Sequence, residues 1–202
     1  MIDASPFLVQ PAGLAEPIAW SEIFGDDRPV ELEVGSGKGL FLANAATARP
    51  DRNFFGIEIA KKYAKKAAER VAKKGLVNVR VLPGDARSFL AKNCPPASLS
   101  AFHVYFPDPW WKARHKKRRV FAEPLMIEIE RILIPGNPLH VVTDVEEYFG
   151  VIRELVAAHP RFTPLPEPEV KDPEHELDYL TNFERKYRIE GRPIYRADYR
   201  FE

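Results

Sequence analysis

Five short apolar runs, each followed by an acidic residue at or near its end, alternate with helix-patterned stretches along most of this chain. The runs are Val30–Val34, Asn53–Glu58, Val77–Leu82, Leu99–Phe106 and Leu139–Thr143, and their length and composition are those of buried strands. Between them, Leu40–Ala48 has helical composition. From Ala60 the apolar positions are Ala60, Tyr63, Ala64, Ala67, Ala68, Val71 and Ala72, the i, i+3, i+4 spacing of an amphipathic helix, with Gly75 as its stop. Phe121–Leu133 and Glu146–Ala158 carry further helix patterns. Parallel strands need long crossovers, and the crossover helices cover both faces of the sheet. The sequence therefore predicts an α/β fold, a doubly wound and mostly parallel sheet.

The ends of the chain differ from this body. Residues 1–29 mix Pro, Gly and short apolar runs and read as an irregular arm packed on the main domain, which spans 30–202. Five prolines between Pro160 and Pro173 fall in an acidic stretch, so residues 160–178 read as an extended loop. The terminal PIYRADYRF alternates as a last strand, antiparallel to its neighbours. At 202 residues one domain can bury a sizeable core without disulfides. Cys94 is the single cysteine, which predicts a reducing compartment. Neither a membrane-length apolar segment nor a signal-peptide pattern is present, so the cytoplasm is expected.

In open α/β sheets, ligands sit beyond the carboxyl ends of the strands. There the polar residues gather: Glu33 with Gly35, Ser36, Gly37 and Gly39 after the first run, then Glu58, Asp85, Asp108 and Asp144 after the next four. The glycine segment EVGSGKG is neither a P-loop nor a dinucleotide fingerprint, since Leu32 and Gly39 break the first and the third glycine comes early for the second. A glycine turn beside the carboxylate of Glu33 suits an adenosine ligand with a cationic, amino-acid-like tail. Glu58 is placed to accept from ribose hydroxyls, and Asp85 to meet an adenine amino group.

The segment Tyr105–Val120, YFPDPWWKARHKKRRV, sets Asp108 between two prolines, then two tryptophans, then six Lys/Arg and one His without an acid. Prolines close the strand and fix a loop. A carboxylate beside aromatic surface and cationic charge suits a purine with its phosphates gripped nearby. The net charge of +1 conceals this segregation. The lysines of residues 61–74 read instead as the solvated side of a helix. TNFE (Thr181 to Glu184) reads either as a helix capping box or as a group of hydrogen-bonding side chains on a ligand. His103 and His140 lie within strands and read as packed. No Cys/His cluster has metal-site spacing, so no metal is expected.

EVGSGKG, GIE, GDA, YFPDPWWKARHKKRR, TDVEEYF and TNFERKYRIEGRPIYRADY, in this order, resemble the bacterial tRNA (guanine-N7-)-methyltransferases from about Val30 to the C-terminus. The FPDPW–RHKKRR and TNFE–GRPIYR blocks are the specific ones. The resemblance implies a class I, Rossmann-like methyltransferase fold with a seven-stranded sheet, and methyl transfer from S-adenosyl-L-methionine to N7 of the variable-loop guanine of tRNA (position 46). Carried over by position, Glu33, Gly35, Gly37, Glu58, Asp85 and Asp108 contact the cofactor, with Asp108 catalytic. Lys112, Asp144, Thr181, Asn182, Phe183 and Glu184 contact substrate. Arg114, His115, Lys116, Lys117, Arg118 and Arg119 contact RNA. Trp111 stands where many members have proline.

Guanine N7 offers a lone pair and carries no proton, which agrees with a chain that has no cysteine nucleophile or histidine-centred dyad among these motifs. The competing readings are a class I methyltransferase acting on a protein or small molecule, a nicotinamide-dependent dehydrogenase, and an RNA-binding domain without cofactor. The first leaves the basic loop without a purpose, the second lacks a catalytic His or Tyr-Lys pair, and the third ignores the row of acids. Monomer and homodimer are both open.

Overall fold

A computed structural model describes residues 3–110, 119–167 and 180–202. Seven strands form one sheet in the order β3-β2-β1-β4-β5-β7-β6. They are β1 Val30–Val34, β2 Asn53–Glu58, β3 Val79–Pro83, β4 Leu99–Tyr105, β5 Pro138–Thr143, β6 Phe162–Pro164 and β7 Tyr195–Phe201. β1 to β5 run parallel, whereas β7 is antiparallel to β5 and β6 is antiparallel to β7. The chain starts in the middle of the sheet and winds outward both ways, so the strand order reverses between β1 and β4. Ligands of such sheets bind at that crevice.

The helices are α1 Trp20–Phe24, α2 Leu40–Ala48, α3 Lys61–Lys74, α4 Ala86–Lys92, α5 Glu123–Ile132, α6 Glu146–Ala157 and α7 Asn182–Ile189. One face of the sheet carries Leu32, Phe55, Phe102, Val141, Tyr199 and Phe201 against Phe89, Met126, Ile129, Tyr148 and Ile152 from α4, α5 and α6. The other carries Phe54, Val79, Val81, Tyr105 and Val142 against α2 and α3. Central strands are covered on both faces, which is why they read as continuous apolar runs.

Three elements depart from the sequence reading. The arm before β1 is not irregular throughout: α1 forms in it, and Trp20 packs its ring edge against Phe55 at 5.1 Å. Five residues are too few to show a period. α4 is not among the expected helices because seven residues are too few to show a helical period. β6 lies at the start of the proline-rich stretch, where Pro164 is tolerated because the strand is at the sheet edge. The remainder of that stretch, 168–179, lies outside the described residues.

A polar rib crosses the α2–α3 side of the sheet. The ring of His103 is buried, with Nε2 2.8 Å from Glu31 and Nδ1 2.8 Å from the Tyr105 hydroxyl. Burial pushes His103 down to about 4, so the ring is neutral near pH 7. An ionised Glu31 only accepts, so Nε2–H donates to it and the Tyr105 hydroxyl donates to Nδ1. Arg49 pairs with the same glutamate at 2.5 Å, and His140 stacks on His103 at 4.8 Å. Both histidines are packed, as expected.

Candidate active site

β1 delivers Glu33 to the carboxyl edge of the sheet, where it is buried and its Oε2 finds no hydrogen-bond partner among the described residues. Burial, and after it the negative charge of Glu58, pushes the Glu33 carboxyl up to about 8. Ser36 Oγ, in the adjoining loop, is likewise buried and unpartnered. Such groups cost free energy unless something supplies their hydrogen bonds.

Glycine shapes the loop that covers them. Gly35 and Gly37 have φ of 79° and 54°, in the left-handed region. The Gly35 and Ser36 amides donate to the Ile57 carbonyl at 2.8 and 3.1 Å, which folds the loop over the tip of β2. Gly56, the glycine of the GIE motif, has no role assigned from the sequence, yet it permits this approach: a Cβ there would stand 3.0 Å from Ser36 and 2.4 Å from Leu42 Cδ1. Only an isolated glycine inside a strand could have signalled it.

Glu58 braces the loop. One carboxylate oxygen accepts from the Gly37 amide and the other from the Ala60 amide, both at 2.8 Å. Each oxygen keeps a lone pair for a further donor, such as a hydroxyl. Asp85 is exposed at the end of β3 and caps α4 through the Arg87 amide at 3.3 Å. Asp108 is exposed in the turn after β4. Its loop is pinned at the base: Arg119 Nε donates to the Pro109 carbonyl at 2.6 Å, and its guanidinium lies 5.2 Å over the Tyr148 ring. Arg87 donates to the Arg119 carbonyl from the other side. Arg119, expected on RNA, is thus turned inward. Lys112, Arg114, His115, Lys116, Lys117 and Arg118 lie outside the described residues, as does Trp111.

The second half of the site comes from β5, α7 and β7. Asp144, just past β5, pairs with Arg192. Thr181 is the N-cap of α7, its Oγ1 accepting from the Glu184 amide at 3.0 Å. Glu184 is buried, accepts from the Leu180 amide and pairs with Arg196 of β7. The capping box therefore forms, with the Glu reaching back one residue beyond the cap. Asn182 and Phe183 are exposed beside it. Arg192 and Arg196 lie in the GRPIYR block and had been assigned no partner. Nothing local pointed to their pairings, which span 48 and 12 residues.

Unpartnered buried oxygens under a glycine turn, a doubly braced acid at the next strand and an exposed acid at the third fit an adenosine ligand with a cationic tail. These are the groups S-adenosylmethionine presents. The family model described as "Putative methyltransferase" matches residues 27–197. A tRNA (guanine-N(7)-)-methyltransferase of Rhodopirellula baltica is 45% identical over 98% of this chain and 76% of its own length. One from Geobacter metallireducens is 33% identical over 98% of this chain and 93% of its own. This chain belongs to the tRNA (guanine-N(7)-)-methyltransferase family. Among solved structures, the 16S rRNA methyltransferase KamB superposes with a TM-score of 0.63 at 17% identity, over 91% of this chain and 92% of that one. A SAM-dependent O-methyltransferase from Thermotoga maritima gives 0.56 at 14% identity, over 90% and 63%. Those two likenesses establish the fold, a class I methyltransferase sheet.

Proposed function

We propose that this chain methylates N7 of the variable-loop guanine of tRNA, position 46, and that Glu33, Glu58, Asp85 and Asp108 serve the cofactor while Asp108 also serves the reaction. The enzyme class and the cofactor, S-adenosyl-L-methionine, come with membership of the family. The observation that carries the site is the run of acids at successive strand ends around a glycine turn that leaves Glu33 Oε2 and Ser36 Oγ without partners.

Glu33 and Ser36 would receive the cationic amino-acid end, and the free lone pairs of Glu58 the ribose hydroxyls. Asp85, exposed beyond β3, would meet the adenine amine. When bound, S-adenosylmethionine supplies an electrophilic methyl group on a sulfonium. The chain's own part is to orient. Guanine N7 has an exposed lone pair and no proton, so no side chain has to remove one; holding the acceptor in place supplies most of the acceleration. Methylation makes the purine cationic, and a fixed carboxylate lowers the energy of that developing charge. Asp108, between two prolines on a loop pinned by Arg119, suits that task, and Asp144 is the second acid within the same end of the sheet. Lys112 and the cations from Arg114 to Arg118 would hold phosphates, with Thr181 to Glu184 near the base. The cytoplasm is the compartment expected for a protein that acts on tRNA.

Incubation of the purified protein with unmodified tRNA transcript and S-adenosylmethionine, followed by nucleoside mass spectrometry, tests this reading. It should yield 7-methylguanosine, lost when the variable-loop guanosine is replaced. Product at another guanosine would overturn position 46, and methylation of protein instead of RNA would overturn the substrate. Asp108→Ala should reduce turnover by at least a hundredfold with an unchanged thermal midpoint, the scale found for single charge-stabilising groups.

A further inference from the structure

An aromatic step stands just outside the strand-end acids, at the carboxyl ends of β4 and β5. Phe106 follows β4, while Phe183 and Tyr187 lie one turn apart on α7. The Phe106 ring is 6.0 Å from Phe183 and 5.6 Å from Tyr187, and Phe183 stacks on Tyr187 at 6.0 Å. Packing does not account for all of this. Phe183 is 52% exposed, and the only buried side chain of α7 is Glu184, so the helix turns its rings away from the core. Phe106 has φ of 51°, a backbone region that bulky L residues rarely occupy and that clusters at functional sites. Its amide still bonds the Val142 carbonyl at 2.7 Å, which fixes the ring relative to the end of β5. Arg192 lies 4.0 Å over Tyr187 and pairs with Asp144, so a carboxylate and a guanidinium border the step.

We infer that Phe106, Phe183 and Tyr187 form a wall on which a purine of the substrate RNA stacks, with Phe106 and Tyr187 as positioning residues beside Asp144. This rests on the tRNA reading above. Unstacked RNA bases are recognised by laying them on aromatic side chains and bonding their edges. The half-exposed Phe183 offers a flat apolar face, and Asp144, once Arg192 moves off it and off the Tyr187 ring, offers acceptors of the kind that guanine N1–H and its exocyclic amine require.

The alternative is that the rings merely fasten α7 to the sheet. Leucine preserves apolar contact but removes the flat face, so Phe106→Leu, Phe183→Leu and Tyr187→Leu separate the two. The probe is tRNA transcript carrying 2-aminopurine in place of the target guanine, whose fluorescence is quenched by stacking. Wild type should quench it, and each leucine variant should lose much of the quench. On ordinary transcript the leucine variants should lose about tenfold or more in kcat/KM, the scale of one base–aromatic stack. Tyr187→Phe should restore both, and cofactor affinity should stay near wild type throughout. Phe183, half exposed, keeps the test decisive if a Phe106 variant folds poorly. Leucine variants with wild-type quench and kcat/KM, measured beside an active wild type, would overturn the wall alone. A wild type that makes no 7-methylguanosine would overturn the tRNA reading, and the wall with it.

Discussion

On the proposed reading, Glu33 sets stability against cofactor binding in one side chain. Its carboxyl, buried with an unpartnered oxygen and repelled by Glu58, is pushed up to about 8 from an ordinary 4.5. A group whose folded pKa is raised contributes stability that is complete below the unfolded value and lost as pH rises through the folded one. For Glu33 that loss runs from about pH 4.5 to about pH 8. Glutamine keeps the shape and cannot ionise. Glu33→Gln should therefore melt several degrees above wild type at pH 8.5, with the difference shrinking toward zero at pH 5, while it binds S-adenosylmethionine more weakly. Calorimetry of the ligand-free protein at both pH values checks the first part and titration calorimetry the second. An equal difference at both pH values would show that ionisation is not the cause.

At the scale of elements, Gly39 joins the site to the helices behind it. It is the N-cap of α2 at φ 68°, and a Cβ there would come within 2.7 Å of the Ala67 Cβ and 3.1 Å of its Cα on α3. Gly25 has a similar φ of 83° but open space around it. Gly25→Ala should thus cost only backbone strain, about 1 kcal/mol, and Gly39→Ala the strain plus a clash against backbone, about 2–4 kcal/mol. Urea midpoints of the two variants compare them, and equal losses would mean that the helices simply move apart. The strands were legible because each central one is a short apolar run closed by an acid or glycine; β1 and β2 begin and end where the pattern does, and β7 ends with it but starts two residues later, at Tyr195. α1, α4 and β6 were not, being five, seven and three residues long, below the length at which a period shows. The site divides in the same way. Glu33, Glu58, Asp85, Asp108 and Asp144 could be placed because strand ends share one edge of a parallel sheet. The Arg192–Asp144 and Arg196–Glu184 pairs could not, since side-chain partners from distant segments leave no local mark.

The molecule as a whole is nearly neutral, with a net charge of +1, so its attraction for a polyanion depends on where its cations stand. Two clusters compete for that role. Lys61, Lys62, Lys65, Lys66, Lys73 and Lys74 project from α3 into solvent, all exposed. The other cluster, Lys112 to Arg119, begins four residues after Asp108 in the chain. Lys65→Ala/Lys66→Ala and Lys116→Ala/Lys117→Ala remove the same charge, so a long-range field would respond equally to both. Direct phosphate contacts would not, because each one releases counterions and adds about 0.7–0.9 to the slope of log K against log salt. The loop pair should therefore flatten the slope for tRNA binding by roughly 1.4–1.8, and the helix pair should leave it near wild type. Filter binding across a salt series measures both. Equal slopes in the two variants would make the RNA footprint a diffuse field over the surface; a flattened slope in the α3 variant alone would move it to the helix and away from the loop.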